Sequence, residues 1–325
     1  MKITTQKRCF PLKEPLKITG HTFVSTDTIW VRLEQDGYVG QGEAIGVYFI
    51  GESVASMIAD VEEAKRTLPM DFDFGDLAER LPPGGARNAL DCALWDLRCK
   101  QAGKRIWDLL ACSSAPVKTV FTISVDTPEI MAGKASAAPP VGCLKLKLND
   151  AQPVTCVEAV RAALPGTDIV IDANQGWSAE QLKDWAPALD RLGVSMIEQP
   201  LKRGDDADLA GYHPPVPLAA DESCLDRRDF EAIGQYYDII NIKLDKTGGL
   251  SEGLSLAQAA KKAGKDVMIG CMSGSSLSMA PAFVIAQSCK YVDIDGPLLI
   301  TQDVAHAMTF GADGTVSPPD ASLWG

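Results

Sequence analysis

The feature that most constrains the fold is a regular alternation of short apolar runs with helix-like segments, which starts near residue 118. Eight runs have the composition of β-strands: KTVFTIS, CLKLKL, DIVIDAN, VSMIE, PLAAD, DIINIK, VMIGC and YVDID. Polar residues near the strand ends, from Lys147 to Lys243, are 25, 26, 23 and 22 residues apart. Strands that alternate with helices at this spacing predict parallel βαβ units. Eight such strands predict a TIM-type barrel. A doubly wound open sheet is the alternative, but it would not readily explain a functional group at the end of nearly every strand.

The first hundred residues follow a different pattern and predict a separate α+β domain. Alternating strands in TIWVRLEQDGYVGQGEA precede helices, the clearest of which is RNALDCALWDLRCKQAG, where apolar residues recur at helical spacing. The small residues and the proline of LACSSAP, residues 110–116, mark the junction. We therefore expect an α+β domain over residues 1–113, a barrel over 114–302 and a segment over 303–325 that returns to the first domain.

Charge and composition argue against several classes of partner. The formal net charge is -12 and no basic block offsets it, so a nucleic-acid partner is not expected. No apolar run approaches the roughly 18 residues of a membrane span, and the first residues lack the apolar core of a signal peptide, which predicts a cytoplasmic protein with no membrane partner. The three histidines form no spaced pair and the nine cysteines no C-x-x-C, so metal ligands would have to be carboxylates. A homo-oligomer is compatible with this sequence, which does not fix a subunit number.

Two lysines lie in the middle of the second predicted strand, CLKLKL. Lys145 and Lys147 point to one face of that strand, while Leu144, Leu146 and Leu148 point to the other. Taken alone, the pattern favours an edge strand with a solvated lysine face. The alternative is a buried pair of ammonium groups, because burial and mutual repulsion can lower the pKa of a lysine toward a working value for a general base.

Three acidic residues end three consecutive predicted strands. Asp172 closes VIDAN, Glu198 closes MIEQP and Asp221 closes AADES. In a barrel the carboxyl ends of neighbouring strands converge on one mouth, and converging carboxylates repel each other unless a cation lies between them. Oxygen ligands without cysteine or histidine suit Mg²⁺. Any one of these acids alone is better explained as a helix N-cap or a surface charge, but the three in register predict a Mg²⁺ site.

Lys243, in NIKLDKTGG, ends the next strand along the chain. The three acids therefore lie between Lys147 on one side and Lys243 on the other. A base on each face of a carbon acid, beside a metal-bound carboxylate, is what reversible inversion at that carbon requires. Lys147 and Lys243 are the predicted catalytic bases. Lys145 is predicted to lower the pKa of Lys147 and to help hold the substrate carboxylate.

Motifs along the whole chain resemble the enolase superfamily, its muconate-lactonizing subgroup and, more narrowly, its dipeptide epimerases of the L-Ala-D/L-Glu type. They are RNALDCALWDL, LKLKL, IDANQGW, IEQP, ADES, NIKLDKTGGL, GCMSGSSLS and DIDGPLL, in this order. The resemblance implies an α/β fold with a modified (β/α)7β barrel, an amino-terminal capping domain that shapes specificity, and a Mg²⁺-stabilised enediolate. By motif position it implies Asp172, Glu198 and Asp221 as metal ligands and Lys147 and Lys243 as bases.

The narrower assignment depends on Asp293 and Asp295 in YVDIDGP, which share a strand face. The resemblance implies that they clamp the free α-ammonium of a dipeptide whose C-terminal residue is inverted at its α-carbon. The alternatives for the two residues are a carboxylate pair bonded to nearby backbone and a simple strand-to-turn signal. The nearest rival functions are those of an N-acylamino acid racemase and of a muconate or succinylbenzoate cycloisomerase, whose substrates carry no free ammonium.

Specificity is expected to come from loops around the barrel mouth. Family members that act on L-Ala-D/L-Glu tend to carry an arginine in a capping-domain loop, and the matching segment here, PLKEPLKITGHTF, offers His21. His21 is predicted to face the side chain of the inverted residue, with an ordinary loop residue as the alternative. Tyr48 and Phe49 are predicted to form a closing loop or, alternatively, interdomain packing, and Met272 and Ser273 in GCMSGSSLS complete the expected substrate contacts. The resemblance favours Ala-Glu from cell-wall peptide recycling as the substrate.

Two further classes of function remain open on the residues alone. A Schiff-base aldolase barrel needs one lysine and no metal, and borohydride trapping with a carbonyl substrate would identify it. A non-catalytic metal-binding protein would show no turnover.

Overall fold

An antiparallel sheet begins the chain in the computed structural model, which describes all residues 1–325. Its strands, in the order β1-β2-β3, are β1 (Lys2–Ile18), β2 (His21–Gln35) and β3 (Tyr38–Ala44). Four helices follow: α1 (Val54–Thr67), α2 (Phe74–Arg80), α3 (Gly85–Ala102) and α4 (Ile106–Leu110). These elements form the capping domain, for which we keep residues 1–113 as the proposed range.

Packing of α3 on the sheet makes the core of the capping domain. Leu90 and Leu94 on α3 are fully buried, as are Ile29 and Val31 on alternate positions of β2. A Cβ atom at Gly42 of β3 would lie 2.3 Å from the carbonyl oxygen of Ala89, so only glycine lets the strand approach the helix this closely. The predicted helix RNALDCALWDLRCKQAG is thus confirmed.

A short strand, β4 (Val117–Lys118), leads into eight parallel strands. They are β5 (Phe121–Ile123), β6 (Cys143–Lys147), β7 (Asp168–Asp172), β8 (Val194–Glu198), β9 (Leu218–Ala220), β10 (Ile239–Ile242), β11 (Asp266–Ile269) and β12 (Tyr291–Val292). The accompanying helices are α5 (Pro128–Ala137), α6 (Pro153–Ala163), α7 (Ala179–Arg191), α8 (Arg227–Ile233), α9 (Leu244–Thr247), α10 (Leu250–Lys262), α11 (Ser276–Ala286) and α12 (Gly296–Leu299). Each of the eight strands coincides with one of the runs predicted from the sequence.

The eight strands pair in chain order from β5 to β12, and the two ends of the sheet meet. The backbone N–H of Val120 donates to the carbonyl oxygen of Val292 at 2.8 Å, and the N–H of Ile294 donates to Thr119 Oγ1 at 3.1 Å. A doubly wound sheet reverses its strand order part-way and keeps two free edges. Sequential order and contact between the ends confirm the curled, barrel-like sheet.

Small and medium apolar side chains fill the barrel interior. Val170, Met196 and Ala219 each lie two residues before a predicted metal ligand, and all three are fully buried. Because strand side chains alternate between faces, these residues point inward one layer below the strand ends. The interior is therefore closed below the mouth, and polar chemistry is confined to the carboxyl ends of the strands.

The last residues of the chain contact both β4 and the capping domain. A last strand, β13 (Thr315–Val316), pairs with β4, and the indole N–H of buried Trp324 donates to the Cys92 carbonyl oxygen of α3 at 2.9 Å. All nine cysteines are free thiols, of which Cys9 is exposed. None of the helices has both the length and the apolar character needed to cross a membrane.

Candidate active site

The three predicted metal ligands meet at the barrel mouth. Asp172 ends β7, Glu198 ends β8 and Asp221 directly follows β9, and all three are fully buried. One carboxylate oxygen from each lies within 4.8 Å of those of the other two. The parallel register explains the convergence, because Asp172 is paired with Glu198 across neighbouring strands.

The chemistry of this acidic cluster fits a hard divalent cation. Glu198 Oε2 and Asp221 Oδ1 are buried and have no hydrogen-bond partner. They lie 2.7 Å from Lys145 Nζ and 2.8 Å from Lys246 Nζ, respectively, but these short ion pairs lack hydrogen-bond geometry. Buried anionic oxygens are stable only with a cation nearby, and a set of carboxylate oxygens without nitrogen or sulfur is the donor set that Mg²⁺ prefers.

The two predicted bases lie on opposite sides of the cluster. Lys147 ends β6 and its Nζ donates to Asp172 Oδ2 at 2.5 Å, whereas Lys243 directly follows β10 and its Nζ donates to Asp221 Oδ2 at 2.6 Å. Both lysines are buried. Burial acts to lower the pKa of Lys243, but the charges of Asp221 and Glu198 outweigh it and raise this pKa above its ordinary value.

Lys145 is buried and lies close to three carboxylates. It shares a strand face with Lys147 and is 1 % exposed, which excludes the solvated-face alternative. Its Nζ lies 2.7 Å from Asp293 Oδ2, 2.7 Å from Glu198 Oε2 and 3.2 Å from Asp172 Oδ2. Burial acts to lower the pKa of Lys145, but these carboxylates together raise it well above its ordinary value. Lys145 is therefore a fixed cation that joins the metal ligands to Asp293.

Asp293 and Asp295 follow β12 and both border the cavity above the barrel. Asp293 pairs with Lys145, while Asp295 Oδ2 accepts a hydrogen bond from the backbone N–H of Thr122 at 2.8 Å. Burial, followed by the charge of Asp293, raises the pKa of Asp295 to about 7. The backbone-bonded alternative thus applies to one oxygen of Asp295, but it leaves two neighbouring buried acids of which only Asp293 forms an ion pair, with Lys145.

Two residues that support the ligands were missed by the sequence argument. The side-chain amide of Asn241 donates to Glu198 Oε1 at 2.7 Å, and Lys246 Nζ donates to the carbonyl oxygens of Asp221 and Asn241 at 2.6 and 2.8 Å. Asn241 precedes Lys243 by two residues on the same strand, so strand alternation already placed it on the inner face. No comparable signal indicated Lys246, which comes from α9.

A second missed pair, Asn174 and Glu222, faces the cavity beside the acidic cluster. Asn174 follows Asp172 by two residues and Glu222 follows Asp221 directly, and the Asn174 amide donates to Glu222 Oε1 at 3.3 Å. Burial and the charge of Asp221 raise the pKa of Glu222 to about 8. Both residues belong to the same motifs as the metal-ligand candidates, IDANQGW and ADES, so their position just after a strand end was a signal for them as well.

The capping domain covers the mouth and encloses a cavity with about 930 Å³ of empty space, which includes open solvent at its entrance. Six of the predicted substrate contacts border it: Tyr48, Phe49, Met272, Ser273, Asp293 and Asp295. The capping domain also contributes four apolar hairpin residues that the sequence did not indicate, Leu12, Leu16, Ile18 and Phe23, together with Ser25, Thr26, Ile45, Gly46 and Glu52.

The structure places His21 outside the residues that line the cavity. His21 is exposed at the turn between β1 and β2, where it pairs with Ile18. Its ring centroid lies 4.9 Å from that of Tyr48 and 6.0 Å from that of Phe23, and both of those residues line the cavity. Phe23, two residues further along β2, supplies the wall that was expected from His21.

Hydrogen bonds hold the Tyr48 and Phe49 loop against the barrel. Asp245, two residues after Lys243, accepts from the backbone N–H groups of Ile45 and Gly46 at 2.9 and 2.8 Å. The loop that closes the cavity is therefore fixed relative to one of the two candidate bases.

Two family models match this chain. The model of the enolase C-terminal domain-like family matches residues 132–322, and that of the mandelate racemase / muconate lactonizing enzyme N-terminal domain matches residues 1–111. The chain belongs to the enolase superfamily. Together the matches cover the barrel and the capping domain, as the motifs predicted.

Relatives of this enolase superfamily member include a racemase and an epimerase. An N-acetyl-D-glutamate racemase of a Pseudoalteromonas species is 40% identical over 292 residues, which cover 89% of this chain and 92% of the relative. An L-Ala-D/L-Glu epimerase of Escherichia coli K12 is 37% identical over 307 residues, which cover 94% of this chain and 96% of the relative.

Solved structures of the superfamily share the whole fold. An enolase family member from Agrobacterium tumefaciens with homology to dipeptide epimerases, with bound sodium and L-Ala-L-Glu, matches with a TM-score of 0.96 at 37% identity and covers 99% of both chains. A dipeptide epimerase of Enterococcus faecalis complexed with Mg and L-Leu-L-Tyr matches with a TM-score of 0.89 at 27% identity, over 98% of this chain and 96% of that chain.

Proposed function

We propose that this enzyme is a Mg²⁺-dependent dipeptide epimerase, an isomerase that inverts the α-carbon of the C-terminal residue of a dipeptide by two-base 1,1-proton transfer. The observation that carries the proposal is the placement of Lys147 and Lys243 on opposite sides of one carboxylate cluster. A single base would be enough to exchange an α-proton with retention, whereas inversion needs a proton donor on the opposite face.

Asp172, Glu198 and Asp221 would hold the metal ion, since their oxygens already converge. A bound Mg²⁺ would supply positive charge beside the substrate carboxylate and so lower the free energy of the negative charge that develops there. The amide of Asn241 and the ammonium of Lys246 hold two of these carboxylates from behind and so keep the ligand oxygens directed at the mouth.

The lysines move the proton. In one direction Lys147, as the neutral amine, takes the α-proton, and the electron pair of the broken C–H bond delocalises into the substrate carboxylate. Lys243, as the ammonium, then delivers a proton to the opposite face, and the α-carbon is inverted. In the reverse direction the roles exchange, which is why each lysine must be able to reach the substrate in both protonation states.

Asp293 and Asp295 would bind the free α-ammonium of the substrate. Two adjacent buried acids repel each other, and the raised pKa of Asp295 expresses that repulsion. A substrate ammonium would relieve it with charge-assisted hydrogen bonds. A second candidate, an N-acylamino acid racemase, deserves a test because a relative at 40% identity is named as one, but an acyl group would leave these acids without a new cation.

A comparison of free and N-acetylated dipeptides in D₂O tests the assignment. Inversion with solvent exchange adds one deuterium at the α-carbon, which mass spectrometry detects. We expect free dipeptides to react at least about tenfold faster in kcat/KM than their N-acetyl forms. Equal or faster turnover of the acetylated forms would assign the enzyme to the acylamino acid racemases.

Three expectations remain to be tested: the physiological role, the cellular location and the oligomeric state. A role in cell-wall peptide recycling would require a dipeptide with an acidic second residue. The mostly apolar side chains of the cavity wall disfavour such a residue. The cytoplasmic location and a homo-oligomeric state stay predictions, to be measured by cell fractionation and sedimentation.

A further inference from the structure

The cavity wall contributed by the capping-domain hairpin is mostly apolar and uncharged, with Ser25 and Thr26 as its polar members. Leu12, Leu16, Ile18 and Phe23 come from the β1–β2 hairpin, and Leu16 and Phe23 are directly opposite each other in its register. Lys17 lies between two of these residues but is an exposed side chain outside the cavity lining. Alternation along the strand thus directs the apolar side chains inward and the charged one outward.

The charged groups that border the cavity disfavour an anionic side chain. Its only cations are the three barrel lysines, 145, 147 and 243, each already paired with a carboxylate. Its acids are Glu52, Glu222, Asp293 and Asp295. No arginine or histidine lines it. A side-chain carboxylate brought here would lose its hydration without gaining a cation, which is unfavourable.

The cavity has two distinguishable ends. One adjoins the proposed ammonium clamp: α12 starts directly after Asp295 and ends in Leu299, and Leu12 of the capping hairpin forms a β-bridge with Ile300. Leu12 and Leu299 both line the cavity. The amino-terminal residue of a dipeptide held by Asp295 would contact these two leucines.

The other end adjoins the catalytic lysines. Tyr48 and Phe49 line the same cavity as Lys147 and Lys243. The Tyr48 ring centroid lies 5.4 Å from those of both Phe23 and Phe49. A side chain that extends from an α-carbon held at Lys243 toward the capping domain therefore meets three aromatic rings.

The hairpin that carries Phe23 is fixed to the barrel. Thr19 Oγ1 donates to the carbonyl oxygen of Ala173 at 2.9 Å, and the N–H of Val125 donates to the carbonyl oxygen of Lys17 at 3.1 Å. Both bonds come from the end of β1 and the turn that follows it. They fix the hairpin in the position in which Phe23, and not His21, lines the cavity.

We propose that the residue inverted by this enzyme has an uncharged apolar or aromatic side chain, and that Phe23 is the side chain that determines this preference. The proposal rests on the proposed dipeptide epimerase function and names its substrate class. It sets this enzyme apart from its Agrobacterium relative, whose structure contains L-Ala-L-Glu. Discrimination by such a pocket is expected to be about 10- to 200-fold in kcat/KM.

The test is a panel of L-Ala-L-Xaa dipeptides, with Xaa being Leu, Phe, Tyr, Lys or Glu, assayed for deuterium incorporation with inversion. We expect the Leu, Phe or Tyr peptides to exceed L-Ala-L-Glu by at least about tenfold in kcat/KM. L-Ala-L-Glu within threefold of the best apolar peptide, or above it, would overturn this inference and leave the epimerase assignment intact. Absence of turnover for every peptide would overturn both.

Two variants locate the preference. Phe23→Arg introduces a cation into the wall and should raise the ratio of L-Ala-L-Glu to L-Ala-L-Leu turnover by about tenfold or more. His21→Arg, at a position two residues away and outside the cavity, is the matched control and should leave this ratio within twofold of wild type. A larger response to His21→Arg than to Phe23→Arg would overturn the role of Phe23. If Phe23→Arg fails to fold, Phe23→Leu should keep the apolar preference while lowering turnover of the Phe and Tyr peptides.

Discussion

The barrel mouth and the capping-domain wall face each other across one cavity but are built on opposite principles. The mouth holds seven charged groups near the carboxyl ends of the strands: Lys145, Lys147, Asp172, Glu198, Asp221, Lys243 and Asp293. Each has a partner of opposite charge from another strand, at 2.5 to 3.2 Å. The wall has no such network, and its apolar side chains come from one hairpin and one loop.

This difference separates chemistry from selection. A charge at a strand end is positioned by the barrel register, so moving it requires moving a strand. An apolar side chain on the hairpin contributes only shape and the absence of charge, and it can be exchanged without disturbing the proton-transfer groups. Changes at the mouth should therefore lower the rate for every substrate, whereas changes in the wall should alter the ranking of substrates.

Replacing either catalytic lysine is the largest expected disruption. Lys147→Met and Lys243→Met should each lower the rate of inversion by about 100- to 10,000-fold, because a proton donor or acceptor is lost from one face. Chiral chromatography of the products measures this rate. Lys290→Met, which removes an exposed lysine paired with Asp266 at the opposite end of the sheet, is the control and should retain activity. Near-normal inversion in either active-site variant would contradict the two-base assignment.

Loss of a metal ligand should have the second-largest effect. Asp221→Asn removes one anionic oxygen, and since loss of even an outer partner of a metal ligand costs about 10- to 100-fold in affinity, weakening by at least this factor is expected. Titration calorimetry with Mg²⁺ gives the affinity, and the exposed Asp266→Asn serves as the control. Chelator-treated wild type should be inactive until Mg²⁺ is restored. Activity that is unaffected by the chelator would show that the reaction does not require a metal ion.

The ammonium clamp should show a smaller and more selective effect. Asp295→Asn and Asp293→Asn should each raise KM for a free dipeptide by about 10- to 150-fold through loss of a charge-assisted hydrogen bond. N-acetylation of the substrate should raise the wild-type KM by a similar factor. The two changes should not add, because both remove one interaction. Full additivity would show that the acids do not bind the ammonium.

The contact between the capping domain and the barrel should make the free energy of unfolding depend on pH. Glu43 of β3 is buried, its Oε1 accepts from the N–H of Ser275 at 3.0 Å, and its Oε2 has no partner. Burial raises its pKa from 4.5 to about 7, with Asp303 acting in the same direction and Arg8 against it. Folded protein therefore keeps this carboxyl protonated at pH values where the unfolded chain ionises it, so its contribution to stability is lost as pH rises from about 4.5 to 7.

Glu43→Gln should remove that dependence. Relative to wild type, its free energy of unfolding should increase between pH 5 and pH 8 by at most about 3 kcal/mol, measured by urea denaturation. The exposed Glu14→Gln is a suitable control and should change little. Parallel stability profiles for Glu43→Gln and wild type would show that Glu43 ionises normally in the folded protein.

The same contrast explains what could be predicted from the sequence. Asp172, Glu198 and Lys243 were predictable because strand period and parallel pairing fix where a strand-end residue lies. The bridging contacts of Lys145 were not, since they join three strands whose separation the sequence does not give. The choice between His21 and Phe23 depends on the hairpin register, which shifts at a bulge between Pro11 and Leu16. Such a shift changes which side chains face the cavity, and no local sequence pattern predicts it.

The central claim is that Lys147 and Lys243 act on opposite faces of one α-carbon. The direct measurement is α-proton exchange in D₂O, followed by mass spectrometry, for both epimers of one dipeptide with each lysine-to-methionine variant. If the two lysines act on opposite faces, each variant should exchange only one epimer, the two variants should exchange opposite epimers, and neither should release inverted product at a rate near that of wild type. Exchange of the same epimer by both variants, or near-normal inversion by either one, would contradict it.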